Sequence, residues 1–157
     1  MSVFQTLSKG KSGFTLIEMM IVIAVFAIVA AIAIPAFMSL LPGMRLNGAA
    51  RQIMGDLMAA RMDAVKQDNA VRVFFNSPGT NQYQILDDDD NDGISDTGEA
   101  ITTKNIRDNY HDVTFTSTNN PIFQPRGTAT SLPTITLQNS DGTKTVTVSI
   151  TGRVRIN

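Results

Sequence analysis

The sequence predicts an α+β protein: one long amino-terminal helix, its first half transmembrane, whose second half packs on an antiparallel β-sheet domain. Three observations carry this reading. Met19 to Leu41 is an uncharged, mostly apolar run. Between Leu46 and Ala64 apolar residues recur at helical spacing, and beyond Asn69 the chain breaks into short apolar runs separated by turn residues.

The first run has 23 residues, which as a helix rising about 1.5 Å per residue would span roughly 34 Å, enough for a hydrocarbon core of about 30 Å. Glu18 is the one charge between Phe14 and Leu41. A carboxylate drawn to the bilayer centre costs about 2.5–3.5 kcal/mol, so Glu18 is expected to have a functional partner. Pro35 removes a backbone donor and crowds the preceding turn, which predicts a kink or a locally unwound segment around Ile32 to Ala36. Pro42-Gly43 is a second weak point.

Leu46, Ala50, Ile53, Leu57, Ala60 and Ala64 follow one another at intervals of four and three. This is the apolar stripe of an amphipathic helix and should cover a sheet. A coiled-coil seam is the alternative, but the stripe lasts only about three heptads and its alanines are small. Asp68-Asn69 supplies the exit turn.

Strands are expected at Val71–Phe75, Tyr83–Leu86, Ala100–Ile106, Val113–Thr116, Ile122–Gln124, Thr134–Leu137, Thr145–Ile150 and Arg153–Ile156. The turn cluster Asn76 to Asn81 joins the first two as a hairpin, and Asp141-Gly142 marks another.

Enzyme chemistry finds little support. There is no cysteine, and His111 is the single histidine, so histidine clusters for zinc and Cys-His pairs are excluded. A Ser-His-Asp triad would need His111, which lies in an apparent turn, Asn109 to Asp112. The methionines read as adaptable packing.

Two charged features remain. Asp88-x-Asp90-x-Asp92-Gly93, with Glu99 closing the motif, has the spacing of a calcium loop. Alternate carboxylates can converge on one hard cation, Gly93 permits a sharp turn, and Glu99 offers two oxygens. Ile94 would add its carbonyl and Asp96 a direct or water-mediated contact. Strands rather than paired helices flank this loop, so a free-standing calcium site is expected; the alternative is a solvated acidic insertion. At the other end, Gly152-Arg153-Val154-Arg155 places two arginines on one face of a strand. Such a pair can grip successive phosphates of DNA, with Arg126 and Lys144 as further contacts if they share that face. Arginines on an edge strand also serve simply to block unwanted pairing.

Lys11-Ser12-Gly13-Phe14-Thr15-Leu16-Ile17-Glu18 resembles the class III signal of type IV prepilins and type II secretion pseudopilins. The resemblance implies cleavage by a prepilin peptidase between Gly13 and Phe14, N-methylation of Phe14, and pairing of Glu18 with the α-amino group of a neighbouring subunit. It also links Pro35 to local melting when subunits pack. A Sec signal removed whole fits less well, because the apolar run exceeds the usual 7 to 15 residues or so and no small-x-small site ends it. The implied divisions are a leader at 1–13, a transmembrane and assembly helix at 14–41, its amphipathic continuation at 42–68, and a periplasmic β domain at 69–157. Without Lys9 and Lys11, eleven basic residues face fourteen acidic ones, and seven of those acids lie between Asp87 and Glu99.

In the β half, Arg61 to Val65, Asn69 to Val73, Ile122 to Gly127 and Val148 to Val154 together resemble the H-type pseudopilin and FimT/FimU-like minor pilin domain. This resemblance implies a pilin-like fold and a structural subunit of a type II secretion pseudopilus or a type IV pilus. Its partners would be other pilins or pseudopilins, the prepilin peptidase and an inner-membrane assembly platform. The chain would cross the bacterial inner membrane once, with its carboxyl-terminal domain in the periplasm. The Gly-Arg-x-Arg ending is similar to one that DNA-binding FimT-like members use for DNA uptake.

Overall fold

The computed structural model describes residues 13–157. Lys9, Lys11 and the rest of the expected leader before Gly13 lie outside the described residues. The chain divides into two compact units, Met1–Ser39 and Leu40–Asn157.

Helix α1 runs over Leu16–Gln67, 52 residues. It begins behind Thr15, whose Oγ1 accepts a hydrogen bond from the backbone N–H of Glu18 at 3.3 Å. Thr15 is therefore the N-cap and Glu18 the third helical residue, the arrangement of a capping box. The expected unwinding around Ile32 to Ala36 is absent, since the helix is continuous through Pro35. Proline's fixed φ is itself helical, so the loss is confined to one hydrogen bond and some crowding, which the surrounding turns absorb. Among the described residues of the first unit nearly every side chain is exposed, and the helix is long and apolar enough to cross a membrane.

In the second unit the helix buries Leu46, Ala49, Ala50, Ile53, Leu57, Ala60 and Ala64, the predicted stripe with Ala49 added. The alanines let the backbone of the helix approach the strands, while Ile53 and Leu57, both fully buried, contribute about 1.5–3 kcal/mol each. Val71, Val73, Phe75 and Tyr83 belong to the same core. The Pro42-Gly43 weak point is supported from the sheet and from the next turn of the helix: Asn139 Nδ2 donates to the Pro42 carbonyl at 2.8 Å, and Asn47 Nδ2 to that of Gly43 at 2.8 Å.

The strands are β1 (Ala70–Phe75), β2 (Gln82–Asp88), β3 (Ile101–Asn105), β4 (Thr114–Ser117), β5 (Ile122–Phe123), β6 (Ala129–Thr130), β7 (Thr134–Asn139), β8 (Gly142–Val148) and β9 (Val154–Ile156). They form two antiparallel sheets, ordered β3-β2-β1-β5-β6 and β4-β7-β8-β9. Both expected hairpins are present, with Phe75 opposite Tyr83 and Asn139 opposite Gly142. Every expected strand appears; β6 was not anticipated, because two residues are too few for a pattern. Strand β8 stops at Val148 rather than Ile150, where the chain turns: Ser149 N–H donates to the Arg153 carbonyl at 2.9 Å and Gly152 N–H to that of Ser149 at 2.8 Å.

Asn81 joins the two sheets. It is buried, its carbonyl accepts from Ile106 N–H and its side-chain Oδ1 from Phe115 N–H, each at 3.0 Å. Phe75, Tyr83 and Phe115 pack beside it with ring centroids 5.6–6.1 Å apart. Tyr83 also ties the sheet to α1: its hydroxyl donates to Asp56 Oδ2 at 2.5 Å, and Lys104 Nζ reaches Asp56 Oδ1 at 2.6 Å. Burial, and then the Asp56 carboxylate, raise the pKa of this hydroxyl above the ordinary tyrosine range.

Candidate assembly and ligand-binding sites

At the amino-terminal end, Gly13 and Phe14 are non-helical and exposed just ahead of the Thr15 cap. Glu18 is exposed in the first turn of α1. A carboxylate there is favoured by the helix dipole. Among the described residues none of the ion pairs includes it. The Thr15-x-x-Glu18 capping signal is readable in the sequence and places Glu18 where the positive end of the helix and a nearby amine can both reach it.

The acidic loop runs from the end of β2 to the start of β3. It is built from its own carboxylates: Asp90 Oδ1 accepts from Asp92 N–H at 3.1 Å, Asp92 Oδ1 from Ile94 N–H at 2.6 Å, and Glu99 accepts from Asp89 N–H at 3.0 Å and Asp96 N–H at 2.9 Å. Carboxylate oxygens of Asp88, Asp90 and Glu99 come within 4.8 Å of one another, and those of Asp90, Asp92 and Asp96 do the same. The predicted ligands are thus brought together in two overlapping groups that share Asp90. Gly93, at φ +81°, is the turn the motif requires.

Two participants were not anticipated. Arg72 Nε donates to Asp88 Oδ2, Arg72 Nη2 donates to the Asn91 carbonyl at 3.2 Å, and a Cβ on Gly93 would lie 2.9 Å from the guanidinium carbon. Asp88, which has no exposed surface, gives its other oxygen to Gly93 N–H at 3.2 Å. The first residue of the expected calcium set is therefore neutralised by a protein cation. Asn69 Nδ2 donates to Asp87 Oδ1 at 2.9 Å and also to Asp89 Oδ1. The register explains Arg72: it stands opposite Leu86, and Asp88 opposite Ala70, so Arg72 and Asp88 are diagonal neighbours on one face. Strand alternation hints at this pairing, but the register is set by an irregular turn that the sequence does not specify.

The carboxyl-terminal arginines behave as a pair. Arg153 and Arg155 are exposed on either side of buried Val154, and both border a shallow recess with Thr147, Ser149 and Thr151. Lys144 does not join them. Arg155 is opposite Thr147, and Lys144, three residues from Thr147 along an unbulged β8, points to the other face of that sheet. Arg126 is exposed on the Gln124–Thr128 turn, where Asp68 shares its recess. His111 is exposed, with Nε2 3.2 Å from Arg45 Nη1, and its ring touches no serine among the described side-chain hydrogen bonds.

A long apolar helix with a capped, acid-bearing start, continuing into a small two-sheet head, defines a pilin-like subunit. The prokaryotic N-terminal methylation motif matches residues 8–34 and the type II transport protein GspH family matches residues 49–152. The chain belongs to the GspH family of pseudopilins and minor pilins. Comparison with curated proteins gives no match. Among solved structures, the type IV minor pilin FimU of Pseudomonas aeruginosa is similar, with 20% identity over 71% of this chain and 87% of that one at a TM-score of 0.52. A second crystal form of FimU gives 18% identity, 71% and 92% coverage, and a TM-score of 0.52. The minor pseudopilin EpsH of the Vibrio cholerae type 2 secretion system gives 13% identity, 72% and 96% coverage, and a TM-score of 0.56. At these identities the likeness is one of fold. The family is one of structural filament subunits, and its apolar helix fits membrane anchoring.

Proposed function

We propose that this chain is a minor subunit of a type II secretion pseudopilus or a type IV pilus, processed between Gly13 and Phe14 and N-methylated on Phe14. The observation that carries the reading is the pairing of an exposed apolar helix with a single carboxylate, Glu18, in its capped first turn. Before assembly the helix is held in the bacterial inner membrane with the head in the periplasm. In the filament, Glu18 receives the α-amino group of a neighbouring subunit, and each charge relieves the burial cost of the other. The work is structural rather than catalytic, and the prepilin peptidase and the assembly platform are its processing partners. A deletion strain scored in parallel for protein secretion, twitching and DNA uptake tests this. Loss of secretion alone assigns the type II system, loss of twitching or uptake assigns the pilus, and no loss of any sinks the proposal.

A second reading gives the head an affinity for DNA, through Arg153 and Arg155 with Arg126. It is favoured by the exposure of both arginines beside one recess; Lys144 drops out of the set. Arg153→Ala combined with Arg155→Ala should abolish a gel shift seen at low salt.

We also propose calcium in the acidic loop, held by Asp90, Asp92, Asp96 and Glu99 with the Ile94 carbonyl. Asp88 serves more through its pair with Arg72 than as an open ligand. The convergence of Asp90 with two groups of carboxylates supports this. Calorimetric titration of the full chain in detergent tests it, and absence of calcium heat at millimolar concentration ends the idea.

A further inference from the structure

Arg61 of α1 reaches across to two loops at once. Its Nε donates to the Gly127 carbonyl at 2.7 Å. Gly152 lies against the same atoms: at φ +72°, a Cβ there would stand 2.1 Å from the Gly127 carbonyl oxygen and 2.7 Å from Arg61 Nε. Nothing but hydrogen fits at that point, so Gly152 is fixed by close approach as well as by its backbone angle.

Each of these loops closes on itself and carries one arginine of the exposed set. Gly127 N–H donates to the Gln124 carbonyl at 2.8 Å and Gly152 N–H to that of Ser149 at 2.8 Å, while Ala129 N–H donates to the Ile150 carbonyl at 3.0 Å and joins the two. Arg126 immediately precedes Gly127, and Arg153 immediately follows Gly152. Neither arginine has a carboxylate partner among the described ion pairs, and Arg61 has none either.

We propose that Arg61 is a positioning residue for the arginine face: its Nε hydrogen bond anchors the Gln124–Thr128 turn to α1 while its stem packs against Gly152 of the Ser149–Arg153 turn, so that Arg126 and Arg153 are held on a common rim for a phosphate backbone. The inference rests on the DNA reading above and adds to it a residue that acts through geometry. A rim assembled from two loops grips a polyanion only if the loops keep their separation, because phosphate contacts act at a fixed repeat. Arg61 spends its Nε on a carbonyl acceptor, and a neutral N–H donor can make the same bond more weakly. A glutamine offers a donor, Nε2, at the same distance along the chain.

The test uses the full chain in a non-ionic detergent, fluorescein-labelled duplex DNA at low salt, and near-ultraviolet dichroism to confirm the fold of each variant. Arg61→Ala should weaken binding by about tenfold, whereas Arg61→Gln should stay within about twofold of the parent. Gly152→Ala, which removes no charge, should lose affinity as Arg61→Ala does. If Arg61→Ala binds normally while Arg153→Ala with Arg155→Ala does not, the positioning role is overturned and the DNA reading stands. If Arg61→Gln loses as much as Arg61→Ala, charge rather than the clamp is at work and the proposal fails. Should Gly152→Ala or Arg61→Ala not fold, Arg61→Met, which keeps the stem and has no donor, takes their place: it should weaken binding by about tenfold, and binding equal to that of Arg61→Gln overturns the positioning role. Absence of binding by the parent chain overturns both readings.

Discussion

Arg72 donates through Nε to Oδ2 of Asp88, a carboxylate with 0% of its surface exposed, at the point where β2 becomes the acidic loop. Removing one partner of a buried pair leaves the other charge uncompensated, which costs more than the pair itself contributes. Arg72→Met should therefore destabilise the head by about 3–5 kcal/mol. Asp88→Asn, which keeps an acceptor for Gly93 N–H and leaves the arginine, 21% exposed, able to reach water, should cost less. Thermal unfolding followed by near-ultraviolet dichroism checks the order, and equal losses would contradict it.

Gly48 and Gly55 lie on the same helix and should respond to alanine in opposite directions. A Cβ on Gly48 would meet the Tyr110 ring at 2.6 Å, whereas a Cβ on Gly55 meets nothing within 4 Å. Gly55→Ala gains the helix propensity, about 0.5–1 kcal/mol. At Gly48 that gain is outweighed by overpacking of about 1–3 kcal/mol. Melting temperatures of the two variants measure the contrast.

Tyr83 makes stability depend on pH at the alkaline end. Burial and Asp56 raise its pKa in the folded chain, so folding favours the un-ionised hydroxyl. That contribution is complete below the unfolded value of about 10 and is lost as pH rises through the folded value. The head should hold its melting temperature up to about pH 10 and lose it above. Tyr83→Phe should be less stable at neutral pH, through loss of the Asp56 bond, and should show a shallower alkaline fall.

Asn81 supplies a side-chain acceptor to Phe115 N–H in buried surroundings and sits at φ +62°. Asn81→Ala leaves that donor unsatisfied, at about 1–3 kcal/mol, and adds backbone strain of about 1–3 kcal/mol. Asn81→Gly removes the strain alone, so its stability should fall between the parent and alanine. Chemical denaturation of the three chains tests this ranking.

Much of the architecture is legible in the sequence. The stripe from Leu46 to Ala64 depends on neighbours three and four apart and keeps its expected ends, whereas the strands, read from local alternation and turn residues, begin or stop up to three positions away from the expected ones. At Pro35 the same local rule predicts a kink or an unwound segment, and the helix runs through it without unwinding. The acidic loop was visible as spacing, but Arg72 and Asn69 are sixteen or more residues from the carboxylates they hold. Their part depends on the register of β1 against β2.

From the order of residues alone follow the apolar helix, its Glu18 and the α+β division, because each is written in contiguous or periodic residues. The tertiary structure decided which charges meet. It neutralised Asp88 with Arg72, turned Lys144 away from Arg155, and brought Arg61, Gly127 and Gly152 into one contact. Those outcomes rest on strand register and on the close approach of backbones distant in sequence, and neither leaves a periodic trace in the chain.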